Sequence, residues 1–238
     1  MVQTSAFTGS LPGAVTFADL TWYLTETRIG SINGLRLVGL VSYVILILAA
    51  APSVMRSAIQ TLLAGIILGS FALTGHAANN PWSSFSYFVH VLVAGVWVGA
   101  LASLCVLLVH ASRNSQFIPA TVRGLNSFSR VGVVVVALLV VSGVGNGVFA
   151  FGISDPPELY RSGYGQILIM KLALLASMIF LAAANRYRLA PLLETSMSIS
   201  TSGDALGFLR RSVFTETAIA IIVFSLAAHL ASTEPPGG

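Results

Sequence analysis

The sequence contains few charged residues. Only 8% of its 238 residues are Asp, Glu, Lys or Arg, whereas a soluble globular domain has about 25%. So few charges cannot cover a water-facing surface, which excludes a soluble enzyme, a nucleic-acid-binding protein and a disordered chain. The mean hydropathy of +0.87 and the 55% share of hydrophobic residues instead indicate an integral membrane protein.

Acidic residues and cysteine are also scarce. The net charge of +4 arises because 8 acids stand against 12 bases, and the bases lie between apolar runs, as they do in membrane proteins. The single cysteine, Cys105, lies inside an apolar run, so neither an internal disulfide nor a thiolate cluster can form. The sequence contains no Ser-His-Asp set, paired carboxylates, HExxH or phosphate loop, and we therefore do not expect an enzyme.

Six apolar runs approach or exceed the roughly 20 residues that cross about 30 Å of hydrocarbon. They predict an all-α integral membrane protein, a six-helix transmembrane bundle with spans near 33–51, 58–78, 85–110, 129–151, 164–184 and 212–231. The polar stretches Ser112–Arg123 and Glu194–Gly207 are expected to be loops between spans.

The first residues predict a short amphipathic helix at the membrane interface. Over 15–26, Phe17, Leu20 and Leu24 share one helical face, and Thr16 is a candidate N-cap. The predicted organisation is therefore an extracytoplasmic segment, a six-span membrane domain and a short tail, over 1–27, 28–232 and 233–238.

The loops differ in their content of basic residues, which predicts the orientation in the membrane. Two bases, Arg28 and Arg161, accompany the acidic residues of one set of loops. The other set holds eight bases and is expected to be cytoplasmic: Arg56, Arg113, Arg123, Arg130, Arg186, Arg188, Arg210 and Arg211. Both termini are then extracytoplasmic.

Three of the four histidines gather at the extracytoplasmic end of the predicted bundle. His76 ends the second span, His90 opens the third after a short turn, and His229 closes the sixth. Imidazoles so placed can ligate copper, zinc or haem iron. We predict a metal site of His76, His90 and His229, with the first two as primary ligands. The alternative is that each imidazole bonds to a backbone carbonyl or faces interfacial water, which is the expectation for His110.

Other ionisable groups inside the spans also need an explanation, because each costs on the order of 2.5–3.5 kcal/mol at the bilayer centre. Arg36 and Lys171 are expected to extend their charges to the headgroups; the alternative is pairing with Asp155 or Glu158, or binding an anionic group near the metal. Glu216 is expected to form an internal salt bridge with a cytoplasmic arginine such as Arg186; the alternative is a proton or metal relay.

The motifs around the histidines resemble the CopD family of bacterial copper-resistance membrane proteins. Thr74-Gly75-His76-Ala77 is followed by His90, and Trp97-Val98-Gly99 comes seven residues later. Further blocks follow in the family's order, from about Thr27 to Pro236: Phe128-Ser129-Arg130, Ser142-Gly143, Tyr164-Gly165-Gln166, Met170-Lys171-Leu172, Asn185-Arg186, and Leu209-Arg210-Arg211-Ser212 with Glu216.

This resemblance implies a bacterial cytoplasmic-membrane protein that handles copper and receives it from an extracytoplasmic carrier of the CopC type. Longer family members have additional spans before the equivalent of Arg36, so we expect a short form whose apolar helix faces accept other membrane subunits. A histidine at position 229 departs from the family pattern, and its role rests on topology alone.

Two other functions compete with copper uptake, transfer or homeostasis. One is an accessory transmembrane subunit of a larger membrane enzyme, itself copper-dependent or not. The other is a haem-binding electron-transfer subunit with axial ligands among His76, His90 and His229. Metal analysis with identification of co-purifying chains separates the first two functions, and an absorption spectrum tests the third.

Overall fold

The computed structural model of the chain describes residues 15–49, 53–75, 78, 80–151, 161–197 and 202–231. Within these ranges the regular elements are all helical: α1 (Phe17–Glu26), α2 (Arg28–Leu48), α3 (Val54–Gly69), α4 (Pro81–Arg113), α5 (Ile118–Phe151), α6 (Gly163–Ala184), α7 (Ala190–Met197) and α8 (Ser202–Ala231). Short 3₁₀ turns cover Ser70–Leu73 and Ser115–Phe117, and a π-helical turn covers Asn185–Leu189.

Six helical segments are long and apolar enough to cross a membrane: Arg28–Leu48, Val54–Leu73, Pro81–Arg113, Arg130–Phe149, Gly163–Leu193 and Asp204–Ala231. Large apolar side chains lie on their outer surfaces, where Leu35 is 72% exposed and Phe180 is 74% exposed. Such surfaces are stable against lipid and not against water. The predicted all-α membrane bundle with six spans is confirmed.

The chain forms two compact units, Met1–Phe88 and Val89–Gly238, and the boundary between them lies within α4. In the first unit α1 begins with the predicted cap. The Asp19 amide donates to Thr16 Oγ1, and the Thr16 amide donates to Asp19 Oδ2 at 2.9 Å, which completes a capping box. The bonds from the Thr16 amide and hydroxyl hold the pKa of the Asp19 carboxyl below its usual value.

A sharp corner joins α1 to α2 in the same unit. Thr27 caps α2 by accepting a hydrogen bond from the Gly30 amide at 2.9 Å, and its hydroxyl donates to the Tyr23 carbonyl at 2.7 Å. Gly30 is buried so tightly that a Cβ there would overlap the Tyr23 carbonyl oxygen. The corner therefore requires glycine at position 30.

The second unit is built around a buried apolar stripe on α4. Trp97, Leu101, Leu104 and Leu108 recur at helical spacing and are at most 5% exposed. The core that they join also includes Leu125, Val135 and Leu139 of α5, Met178 of α6, Leu193 of α7, and Leu206, Leu209 and Val213 of α8. Four membrane-spanning segments thus share one core.

Two helices begin earlier than the hydropathy indicated. α5 begins at Ile118, inside the predicted Ser112–Arg123 loop, and α7 with the start of α8 occupies most of the predicted Glu194–Gly207 loop. The physical reason is burial. Ile118 and Leu206 are each 7% exposed and pack into the core. These segments are amphipathic helix ends. Their polar residues lower the local hydropathy, so hydropathy alone does not detect their buried face.

Candidate functional site

His90 lies half-buried in the second unit, at the end of the bundle where α5 finishes and α6 begins. Its Nδ1 atom is 3.0 Å from Ser142 Oγ on α5. Gly143, the next residue, also faces the ring, and a Cβ there would lie 3.4 Å from His90 Cε1, an ordinary contact distance. The imidazole ring therefore packs against α5 at Ser142 and Gly143.

The hydrogen bonds of Ser142 define the tautomer of His90. The serine hydroxyl donates its single proton to the carbonyl of Leu138, one turn back along α5. Its oxygen must then accept from His90, which places the imidazole proton on Nδ1. A neutral imidazole with Nδ1–H keeps a lone pair on Nε2. The imidazole also makes a hydrogen bond with the backbone of Leu139, one turn before Ser142 on the same helix.

Two further polar groups lie at this end of the second unit. Lys171 of α6, half-buried, interacts electrostatically with His90. Asn146, one turn beyond Ser142 on α5, has a buried Oδ1 without a hydrogen-bond partner among the described residues. This part of the unit therefore combines the imidazole, a neighbouring cation and, one turn further along α5, an amide oxygen without a hydrogen bond among the described residues.

The predicted metal ligands are placed unequally. His90 has the geometry just described, and His229 is exposed on the last turn of α8. His76 lies outside the described residues, as do Asp155 and Glu158. Among the side chains that are described, no three His, Cys, Asp or Glu residues group closely enough to hold a metal ion. The trio of His76, His90 and His229 stays a prediction.

His110 is placed as expected for an interfacial side chain. It is exposed near the end of α4, its Nδ1 lies 2.8 Å from the Val106 carbonyl, and its ring packs edge-on against Phe117.

A second polar cluster lies deeper in the second unit. Glu216 of α8 is 1% exposed, and its two carboxylate oxygens accept hydrogen bonds from Trp97 Nε1 at 3.2 Å and Asn185 Nδ2 at 3.1 Å. The predicted salt bridge with an arginine such as Arg186 is replaced by two neutral donors. The reason is that α4 and the π-helical turn bring an indole and an amide directly to the carboxylate.

Arg36 belongs to the first unit and is held by residues of that unit. Its Nε and Nη2 donate to the hydroxyl and the carbonyl of Ser70, each at 2.8 Å, and its Nη1 donates to Asn33 Oδ1 at 2.7 Å. Nη2 also donates to Thr74 Oγ1, and the guanidinium lies 4.0 Å from the Phe71 ring centre. Instead of extending to the headgroups, this arginine ties α2 to the turn after α3.

The sequence motifs that seemed separate meet in these clusters. His90, Ser142-Gly143 and Lys171 form one cluster, and Trp97, Asn185 and Glu216 form the other. Asn185 and Trp97 were not predicted as partners of Glu216. Two features of the sequence could have indicated them. A carboxyl group inside a span needs hydrogen-bond donors, and Trp97 and Asn185 both belong to motifs shared with the family.

Models of two protein families match the chain. "Copper resistance protein D" matches residues 122–230, and "Copper resistance protein D-like, N-terminal domain" matches residues 1–84. No solved structure is significantly similar to the chain.

Curated relatives agree with these families. Copper resistance protein D of Pseudomonas syringae pv. tomato is 32% identical over 219 residues, which cover 89% of this chain and 70% of the relative. Copper transport protein CutJ of Bacillus subtilis is 27% identical over 99% of this chain, and inner membrane protein YebZ of Escherichia coli is 32% identical over 49% of it. The chain spans 42% and 40% of the lengths of those two relatives.

Proposed function

Because the chain belongs to the copper resistance protein D family, we propose that it binds copper through His90 and transfers it as cargo. The observation that carries this proposal is the oriented imidazole. Hydrogen bonding of one ring nitrogen to a second residue is how proteins prepare the other nitrogen for a metal. Ser142 occupies Nδ1, so Nε2 is the nitrogen that receives the copper.

Cu(I) is the oxidation state that this site suits best. A monovalent ion tolerates low coordination numbers and accepts imidazole nitrogen, so a site with few donors can hold it. His76 is the second ligand that we propose from the sequence, and His229 is a third. The charge of Lys171 beside His90 repels a cation and lowers the affinity. A weak, open site favours transfer over storage.

The proposed direction of transfer starts outside the cell. The basic residues concentrate in the loops at the opposite end of the spans from His90, which by the positive-inside rule supports an extracytoplasmic position for His90. Copper then reaches it from an extracytoplasmic carrier of the CopC type, in the bacterial inner membrane, with both chain termini outside. The resemblance in sequence to a protein named copper transport protein CutJ supports a transport role.

The test measures copper bound by the purified full chain under reducing conditions, with a Cu(I) chelator as competitor. His90→Ala should lose most of the bound copper while staying monodisperse, and X-ray absorption of the wild type should report nitrogen ligands. Lys171→Gln should bind copper more tightly than the wild type, because it removes a neighbouring positive charge. A residue that only supports the fold gives no such gain.

The matched control is His110→Ala, which removes an exposed imidazole bonded to a backbone carbonyl and should leave copper binding unchanged. His76→Ala should behave like His90→Ala, and His229→Ala should lose less copper. Wild-type stoichiometry and affinity in His90→Ala would place the copper elsewhere and reject the proposal.

A further inference from the structure

Glu216 lies in an unusual environment for a carboxyl group. It is on a membrane-spanning helix and 1% exposed. Its hydrogen bonds come from an indole and an amide, and none of the Lys, Arg or His side chains that the structure describes makes an ion pair with it. An ionised carboxylate with only neutral donors is strongly disfavoured in a medium of low polarity. Adding a proton removes this cost.

Asn185 provides the hydrogen-bond acceptor that the protonated form of Glu216 needs. The asparagine is 4% exposed, and its Oδ1 has no hydrogen-bond partner among the described residues although it is fully buried. A buried acceptor without a donor destabilises the structure unless another group binds to it. Because the amide of asparagine is nearly symmetric in shape, a half-turn exchanges Nδ2 for Oδ1 at the same position. Oδ1 would then face Glu216 Oε2.

The backbone at Asn185 is also exceptional. The residue opens the π-helical turn Asn185–Leu189, and the Ala190 amide bonds to the Asn185 carbonyl. Such turns inside long helices frequently mark functional sites, because the extra residue redirects a side chain. Here the redirected side chain is the amide that contacts Glu216.

We propose that Glu216, Asn185 and Trp97 form a proton-binding site within the second unit. In the ionised state Glu216 accepts from Trp97 Nε1 and Asn185 Nδ2. In the protonated state a proton from water is bound to Oε2, this O–H donates to Asn185 Oδ1 after the amide turns, and Trp97 continues to donate to Oε1. Release of the proton reverses these steps, so the ligand is H⁺ and no other reactant is needed.

The neighbouring titratable groups do not replace Glu216 in this role. Cys105 of α4 lies 3.2 Å from Thr217 Oγ1. The elements of this unit carry these further charged or titratable groups: His90, His110 and Arg113 on α4, Arg123 and Arg130 on α5, Lys171 on α6, Arg186 and Arg188 on the π-helical turn, and Asp204, Arg210, Arg211 and His229 on α8. None of these described groups makes a hydrogen bond or ion pair with the carboxylate. The site is independent of copper and of the proposal for His90.

Infrared difference spectroscopy of the full chain in lipid, between about pH 5 and 9, tests the site. We expect the C=O stretch of a protonated carboxylic acid to appear at the acidic end and to disappear at the alkaline end. Glu216→Gln should lack the band. Trp97→Phe keeps the ring and removes the donor to Oε1, so the band should persist and move to higher frequency.

Three results would reject the proposal. A band that survives in Glu216→Gln belongs to another acid. A band present at every pH indicates a permanently protonated structural group, and its absence at every pH indicates a permanently ionised one. If Glu216→Gln fails to fold, Asn185→Leu serves in its place: loss of the O–H acceptor should shift the band in a protein whose Trp97 bond is intact, and an unshifted band contradicts the geometry.

Discussion

The network around Arg36 in the first unit and the polar clusters of the second unit differ in how fully their polar atoms are hydrogen-bonded. In the first unit Arg36 donates four hydrogen bonds and rests on the Phe71 ring, so four of its five N–H groups are used by neighbours in the same unit. In the second unit Asn146 and Asn185 each keep a buried Oδ1 without a hydrogen bond among the described residues.

This difference separates structural polar groups from groups that are available for a ligand. A buried polar network with every member paired fixes one arrangement of the backbone. A buried atom left open costs free energy unless something else binds it. Substitutions around Arg36 and at the α1–α2 corner should therefore change stability and leave ligand binding intact, whereas substitutions at the two clusters of the second unit should change binding first.

The largest expected effect is at the α1–α2 corner of the first unit. Gly30→Ala would press a methyl group into the Tyr23 carbonyl and to 2.7 Å from Thr27 Oγ1. Because the obstacle is backbone, the helices must separate, at a cost of about 3 kcal/mol or more and a fall in melting temperature of about 10 °C. Thermal denaturation in detergent, followed by size-exclusion chromatography, measures it.

Gly34→Ala is the matched control for Gly30→Ala, one turn along the same helix. A methyl group there would meet only Leu24 Cδ2 at 3.7 Å, an ordinary contact. Since alanine is the better helix former, this variant should be as stable as the wild type or slightly more stable. Equal melting temperatures for the two variants would show that the corner can accommodate a methyl group at position 30. The contrast between the units would then weaken.

An intermediate effect is expected at Ser142, the hydrogen-bond partner of His90. Ser142→Ala removes the group that orients the imidazole, and loss of such an outer partner weakens metal binding by about 10–100-fold. The melting temperature should barely change. Ser103→Ala removes a hydroxyl that bonds only to the Gly99 carbonyl on α4 and should leave copper affinity unchanged. An unaltered copper affinity in Ser142→Ala would mean that the serine does not position the metal ligand.

The number and approximate place of the spans could be predicted from the sequence, because hydropathy along the chain reports directly on burial in lipid. The N-terminal helix and its Thr16 cap were predicted for a similar reason, since capping depends on residues three apart. The starts of α5 and α8 could not be predicted in this way. Ile118 and Leu206 are buried by packing against the core, and hydropathy averaged over a polar stretch conceals such residues.

Polar partners distant in sequence could be predicted least. Asn185 and Glu216 are 31 positions apart and Trp97 and Glu216 are 119 apart, so their contacts depend on how α4, α6 and α8 pack. Charge alone favoured an arginine as the partner of Glu216. The packing supplied neutral donors instead, and it gave Arg36 a set of neighbours within its own unit where the sequence predicted extension to the headgroups.

The smallest expected effect is at the capping box of α1, where the first unit meets water. The bonds from Thr16 lower the pKa of Asp19 below 3.8, so this stabilisation is present above that pH and is lost as the pH falls through the lowered value. Asp19→Asn should therefore speed amide hydrogen exchange in the first turn of α1 near neutral pH, and the difference from the wild type should vanish in acid. Asp204→Asn, an exposed acid in the first turn of α8, is the control and should leave exchange in α1 unaltered. A difference between Asp19→Asn and the wild type that stays constant down to the lowest pH would show that the carboxylate charge does not stabilise the cap.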